Sequence, residues 1–153
     1  MKRIPVMELL GCAFKQWAIG RGPRLEDRAL PSLRSQHVIV LDLQKKHGKT
    51  LLPLRELHFM TGGAFPYSCE LAKAIDLMEQ SGMLISLIDP RGGSWFIPNV
   101  HSDTEQHLKE WRAKTFRDDP KACQAFLVFS QELGDTLKAS GPLPFYLQRL
   151  LQP

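Results

Sequence analysis

The chain has 153 residues, 43% of them hydrophobic, enough to bury one core with helices appended to it. No apolar run approaches the ~20 residues of a membrane-spanning helix, and Met1-Lys2-Arg3-Ile4-Pro5 leads into a segment broken by Glu8, Lys15 and Gln16 rather than into an apolar signal core, so no membrane partner and a cytoplasmic location are expected. The net charge of +4 conceals an asymmetry: residues 1–55 hold eleven Lys or Arg against four acids, a net +7, residues 56–98 carry −3, and residues 99–153 balance, which suits phosphate attraction ahead of residue 56.

Cys12, Cys69 and Cys123 lie far apart, odd in number and without a Cys-x-x-Cys pair, which argues against a disulfide framework or a structural zinc site. Asp103 and His107 share a helix face at i, i+4 and read as a solvated pair, so neither a metal nor another cofactor is expected. Phosphate-loop, nucleophile-elbow and His-Glu-x-x-His patterns are missing from the chain. Cys69 with His58 could pair as nucleophile and base, but Cys69 starts a helix that the fold pattern requires, so the chain is not read as an enzyme.

Taken in chain order, Val6, Leu9, Leu10, Ala13, Phe14, Trp17 and Ala18 recur at helical spacing up to Gly20 and predict an amphipathic N-terminal helix over residues 4–19. Gly, Pro and charge from Gly20 to Pro31 predict a linker. Residues 35–47 hold β-branched Val38, Ile39 and Val40, yet the spacing and the run into Lys45-Lys46-His47-Gly48 predict a helix. Lys49-Thr50-Leu51-Leu52 is expected as a short strand. Pro53 then opens a short helix with Leu54, Leu57 and His58 on one face, broken at Thr61-Gly62-Gly63.

The third helix of this region is the best marked. Pro66 or Ser68 starts it, Leu71, Ala74, Ile75 and Met78 form one apolar stripe, and Gly82 ends it. Met83–Ile88 and Ser94–Ile97 read as two strands joined by Asp89-Pro90-Arg91-Gly92-Gly93, the second stopped by Pro98. After the hairpin, Ser102-Asp103-Thr104-Glu105 has the form of a capping box and predicts a helix to about Arg117. Asp119-Pro120 predicts another, with a wide apolar arc from Cys123 to Leu137, and Phe145–Leu151 predicts a last short one.

The run from Cys69 to Leu84, with its polar start, apolar core face and Leu-Met-Glu-Gln-Ser-Gly-Met-Leu ending, resembles the recognition helix and following strand of winged helix-turn-helix regulators. The resemblance covers residues 35–98. It implies a mainly α (α+β) fold in one compact unit: an N-terminal helix and basic linker (1–34), a winged helix with a β-hairpin wing (35–98) and a C-terminal helical extension (99–153). It further implies binding of double-stranded DNA as a transcriptional regulator, with Tyr67, Ser68, Cys69, Glu70 and Lys73 at the third helix, Arg91 at the wing tip and Lys45, Lys46, Lys49 and Arg55 as nearby cations. Regulators resembling this one commonly dimerise through flanking helices, so a homodimer is expected from the apolar faces of residues 6–18 and 123–137. The same scaffold also serves as a protein-binding module, in replication, segregation or mobile-element complexes; here that surface would be Glu70, Asp76 and Leu77.

Overall fold

The computed structural model describes residues 1–32 and 34–152. It is an α+β fold of six α-helices and one three-stranded antiparallel sheet. In chain order these are α1 (Val6–Ile19), β1 (Leu30–Pro31), α2 (Arg34–His47), α3 (Cys69–Gln80), β2 (Leu84–Ile88), β3 (Ser94–Pro98), α4 (Thr104–Thr115), α5 (Pro120–Ser140) and α6 (Phe145–Leu151). Short 3-10 turns occupy Leu25–Arg28 and Leu52–Glu56. No described helix is long and apolar enough to cross a membrane.

The main core is built around α1. Leu9, Leu10, Ala13, Phe14 and Trp17 are buried from it, and Phe14 meets Phe96 of β3 edge to face with ring centroids 5.0 Å apart. The longest helix, α5, runs along α1 and α2 and buries Phe126, Phe129, Leu133 and Leu137 there. Its approach to α1 depends on one glycine: a Cβ built on Gly134 would fall inside the Trp17 indole. The indole N–H donates to Asp135 Oδ1 at 3.0 Å, so the ring is fixed at both its apolar and its polar edge. Burial pushes the Cys12 thiol, also on α1, up to about 12.

The two apolar faces that predict a homodimer therefore meet each other within one chain. Both find a partner inside the fold because α5 runs parallel to α1: the Met1 amine ahead of α1 pairs with Asp119 at the start of α5, and Trp17 near the end of α1 meets Gly134 and Asp135 late in α5.

Sheet order is β1-β3-β2, with Leu30 opposite Phe96 and Ser86 also opposite Phe96 across β3. One face of the sheet, carrying Leu84 and Phe96, joins the main core. The other carries Leu87, Trp95 and Ile97 and is covered by Leu143 and Leu147 around α6, with Trp95 Nε1 donating to Gly141 O at 3.1 Å. Pro31 is tolerated because β1 is an edge strand.

Three local expectations change. The strand expected at Lys49–Leu52 is absent: the Thr50 and Leu51 amides donate back to His47 O at the end of α2, which leaves them nothing for a sheet partner. The sheet's third strand comes instead from Leu30-Pro31, inside the expected linker. The capping box does not form either. Thr104 Oγ1 accepts from the His101 amide at 2.8 Å, while Asp103 stands at the cap position of α4 without a side-chain cap. At α5, which starts at Asp119-Pro120 as expected, Asp119 Oδ1 caps the helix by accepting from Ala122 N–H at 3.0 Å.

Candidate nucleic-acid interface

Helix α3 starts where Ser68 turns the chain. Its hydroxyl accepts from Leu71 N–H at 3.2 Å, satisfying one of the free donors of the first turn. Leu71, Ala74, Ile75 and Met78 are buried, as their spacing predicts, and this leaves Cys69, Lys73, Asp76, Leu77 and Gln80 exposed on the other side. Gly82, at φ +81°, supplies the left-handed residue that turns the chain into β2. A two-glycine turn follows, Gly92 at φ +107° and Gly93 at φ +94°, with Gly92 N–H donating to Asp89 O at 3.0 Å.

The expected contact residues divide by their surroundings. Ser68 is 0% exposed and spends its hydroxyl on the cap. Tyr67 lies flat on the His37 ring at 4.6 Å, and its backbone pairs with Met60 to close the loop that leads into α3. Glu70 Oε1 accepts from the His58 amide at 2.6 Å and faces His58 Nδ1 at 2.9 Å; the amide bond, then the ring, hold its carboxyl below the usual range. Cys69 and Lys73 are exposed.

The cations contribute unequally. Lys45 and Lys49 are exposed, Lys46 pairs with Glu132 of α5 at 2.6 Å, and Arg55 Nε donates to Gly48 O at 2.9 Å while the rest of its side chain stays exposed. Arg91 is exposed at the hairpin tip, where its guanidinium sits over the Tyr146 ring at 4.8 Å. The Tyr146 hydroxyl donates to Asp89, whose carboxyl this bond and the Arg91 amide hold below its usual value. One cation was not anticipated from the sequence: Arg34, at the start of α2, lies over Phe65 at 5.1 Å, beside the loop entering α3. Aromatic residues flanking a glycine-rich loop were the available signal for it.

The outer face of α3 thus offers one cation, Lys73, with Asp76 one turn further on. On duplex DNA those two groups pull in opposite directions. His37, also unanticipated, is the group that ties α2 to α3: its Nδ1 accepts from Ser68 N–H at 3.0 Å, and burial lowers its pKa from 6.5. No protein-family model, curated protein or solved structure matches the chain.

Proposed function

We propose that this chain is a winged-helix protein that binds double-stranded DNA, acting as a cytoplasmic regulator of transcription. The observation that carries the reading is the element order α1-β1-α2-α3-β2-β3 with sheet order β1-β3-β2. Winged helices commonly place a short strand between their first and second helices. Here β1 has that position if α1 is taken as the first helix and α2 as the second, which moves the resemblance one helix upstream of residue 35.

In this reading the exposed face of α3 enters the major groove through Cys69 and Lys73, and Arg91 reaches the flanking backbone or minor groove from the hairpin. Lys45, Lys49 and Arg34 supply phosphate contacts. Ser68 and Glu70 position α3 rather than touch DNA, because their hydroxyl and carboxylate are engaged within the chain, and Tyr67 does so through its ring on His37 and its backbone on Met60. The expected homodimer belongs to the same reading; with the α1 and α5 faces spent internally, it has exposed Ile88 at 73%, Phe145 at 66% and Leu150 at 73% to work with. A dimer mass by light scattering that falls on Leu150→Glu supports that part, and a monomer at tens of micromolar sinks it.

A polarisation titration of labelled duplex at roughly 50 mM salt tests the binding itself. Affinity should fall with salt at a log–log slope of about −4, and Arg91→Ala should reduce that slope by about 1 for every sequence. Lys73→Ala should instead change preference among sequences. The second reading, a protein-binding module, is favoured by one observation: Asp76 and Leu77 are exposed side by side on α3, Leu77 at 42%. No duplex binding at low salt, together with a partner protein lost on Asp76→Lys, would replace the first reading with the second.

A further inference from the structure

A cleft of about 210 Å³ opens between the start of α2, the side of α3 and the β2–β3 hairpin. At ~30 Å³ per water it has room for roughly seven, the size of a small metabolite rather than of a single bridging water. Its charged walls are all of one sign. Asp76 and Glu79, at i and i+3 on α3, line it, no Lys or Arg is among the lining residues, and neither carboxylate has an ion-pair or hydrogen-bond partner among the described residues.

The inner wall is polar and almost sealed. Gln36 is 2% exposed and His37 4% exposed, and both line the cleft. Gln36 Nε2 donates to Pro31 O at 3.4 Å, which leaves its amide oxygen without a donor among the described residues. His37 accepts a backbone N–H at Nδ1, so its ring proton is on Nε2, and that N–H has no acceptor among the described residues. Both side chains are held in place by the rest of the chain while one acceptor and one donor stay open to the cleft, so a ligand there meets directional groups that are already positioned. Tyr67 adds an aromatic edge to the same cleft.

We propose that this cleft binds a small organic cation, an alkylammonium compound that also carries a hydrogen-bond acceptor. The ammonium donates to Asp76, Glu79 and the Gln36 amide oxygen, and the acceptor at its other end meets His37 Nε2–H. Complementary charge at the mouth and two directional groups inside give both affinity and orientation. Because α3 and the hairpin form opposite walls, the bound cation ties one to the other. The inference does not depend on whether the chain binds DNA.

Amide chemical shifts of the full chain, recorded without DNA, test it with three four-carbon probes: 4-aminobutanol, n-butylammonium and butyrate. The expected result is saturable shifts at Gln36, His37, Asp76, Glu79 and Ser86 with 4-aminobutanol, weaker binding of n-butylammonium, and none of butyrate. Asp76→Asn combined with Glu79→Gln should raise the 4-aminobutanol dissociation constant at least tenfold while leaving the thermal midpoint in place, because neither carboxylate holds another part of the chain. Either carboxylate changed alone gives a second measurement if the double variant folds poorly. Absence of saturable shifts at these residues, equal shifts with butyrate, or unaltered binding by the folded variants overturns the proposal. A failed duplex titration leaves it standing, and its own failure leaves the DNA reading untouched.

Discussion

The contact of α1 with α5 and the contact of α3 with the hairpin are built on opposite terms. Along α1 and α5, Trp17 closes onto Gly134, and the interior is apolar except for Ser130, whose hydroxyl donates to Phe126 O within α5. Between α3 and the hairpin the chain leaves a cleft walled by carboxylates, an amide and an imidazole, with exposed apolar and charged side chains around it. The first contact cannot tolerate a methyl group. The second contains groups whose removal costs the fold little, which separates where this protein is stabilised from where it is free to bind.

The largest effect should come from emptying the first region. Phe14→Ala removes a ring that is 1% exposed and packed on Phe96, and should cost about 3–5 kcal/mol in a urea unfolding curve. Gly134→Ala is the opposite insult, overpacking, and should cost about 1–3 kcal/mol. Calorimetry should then show the midpoint falling by about 2–4 °C per kcal/mol. A Gly134→Ala protein with unchanged stability would mean that α5 is free to slide and that the contrast between the two regions is false.

Ser68→Ala stands at the boundary between the regions. Loss of the cap should cost about 1 kcal/mol and fray the start of α3, visible as faster amide exchange at Leu71. Acid supplies the next test. His37 has a folded-state pKa below its ordinary 6.5, so the unfolded chain takes up the proton more readily; the stability it contributes is whole above about 6.5 and is lost as pH falls through the folded value. Urea midpoints at pH 7.5 and 5.5 should therefore differ in that direction, and His37→Gln should flatten the difference. Lys73→Ala, last, should leave stability within about 0.5 kcal/mol, as for a surface residue without a partner.

How far the sequence carried depends on the separation of the partners. Ser68, the Leu71–Met78 stripe and Gly82 act within a few residues of one another, so local chemistry alone marked α3, and the turn at Asp89–Gly93 was legible for the same reason. Strand β1 was not: it is two residues long, one of them proline, and exists only because β3, over sixty residues later, pairs with it. Val38, Ile39 and Val40 did not make a strand, since α2 buries Ile39 and Val40 against the core. Among the candidate contacts, the exposure of Lys73 followed from helical spacing. The pairings of Lys46 with Glu132 and Arg91 with Tyr146 join distant parts of the chain and left no local trace.

The hold of α6 on the hairpin has an entropic side. With the Tyr146 hydroxyl on Asp89 and its ring beneath Arg91, the turn that in many hairpins stays loose until it meets a ligand is already clasped by its own chain. Ordering a flexible side chain on association costs about 0.5–1.5 kcal/mol, and here that loss has largely been incurred during folding. Whatever this surface meets, it meets a preset shape, and the last helix of the chain sets how rigid that shape is.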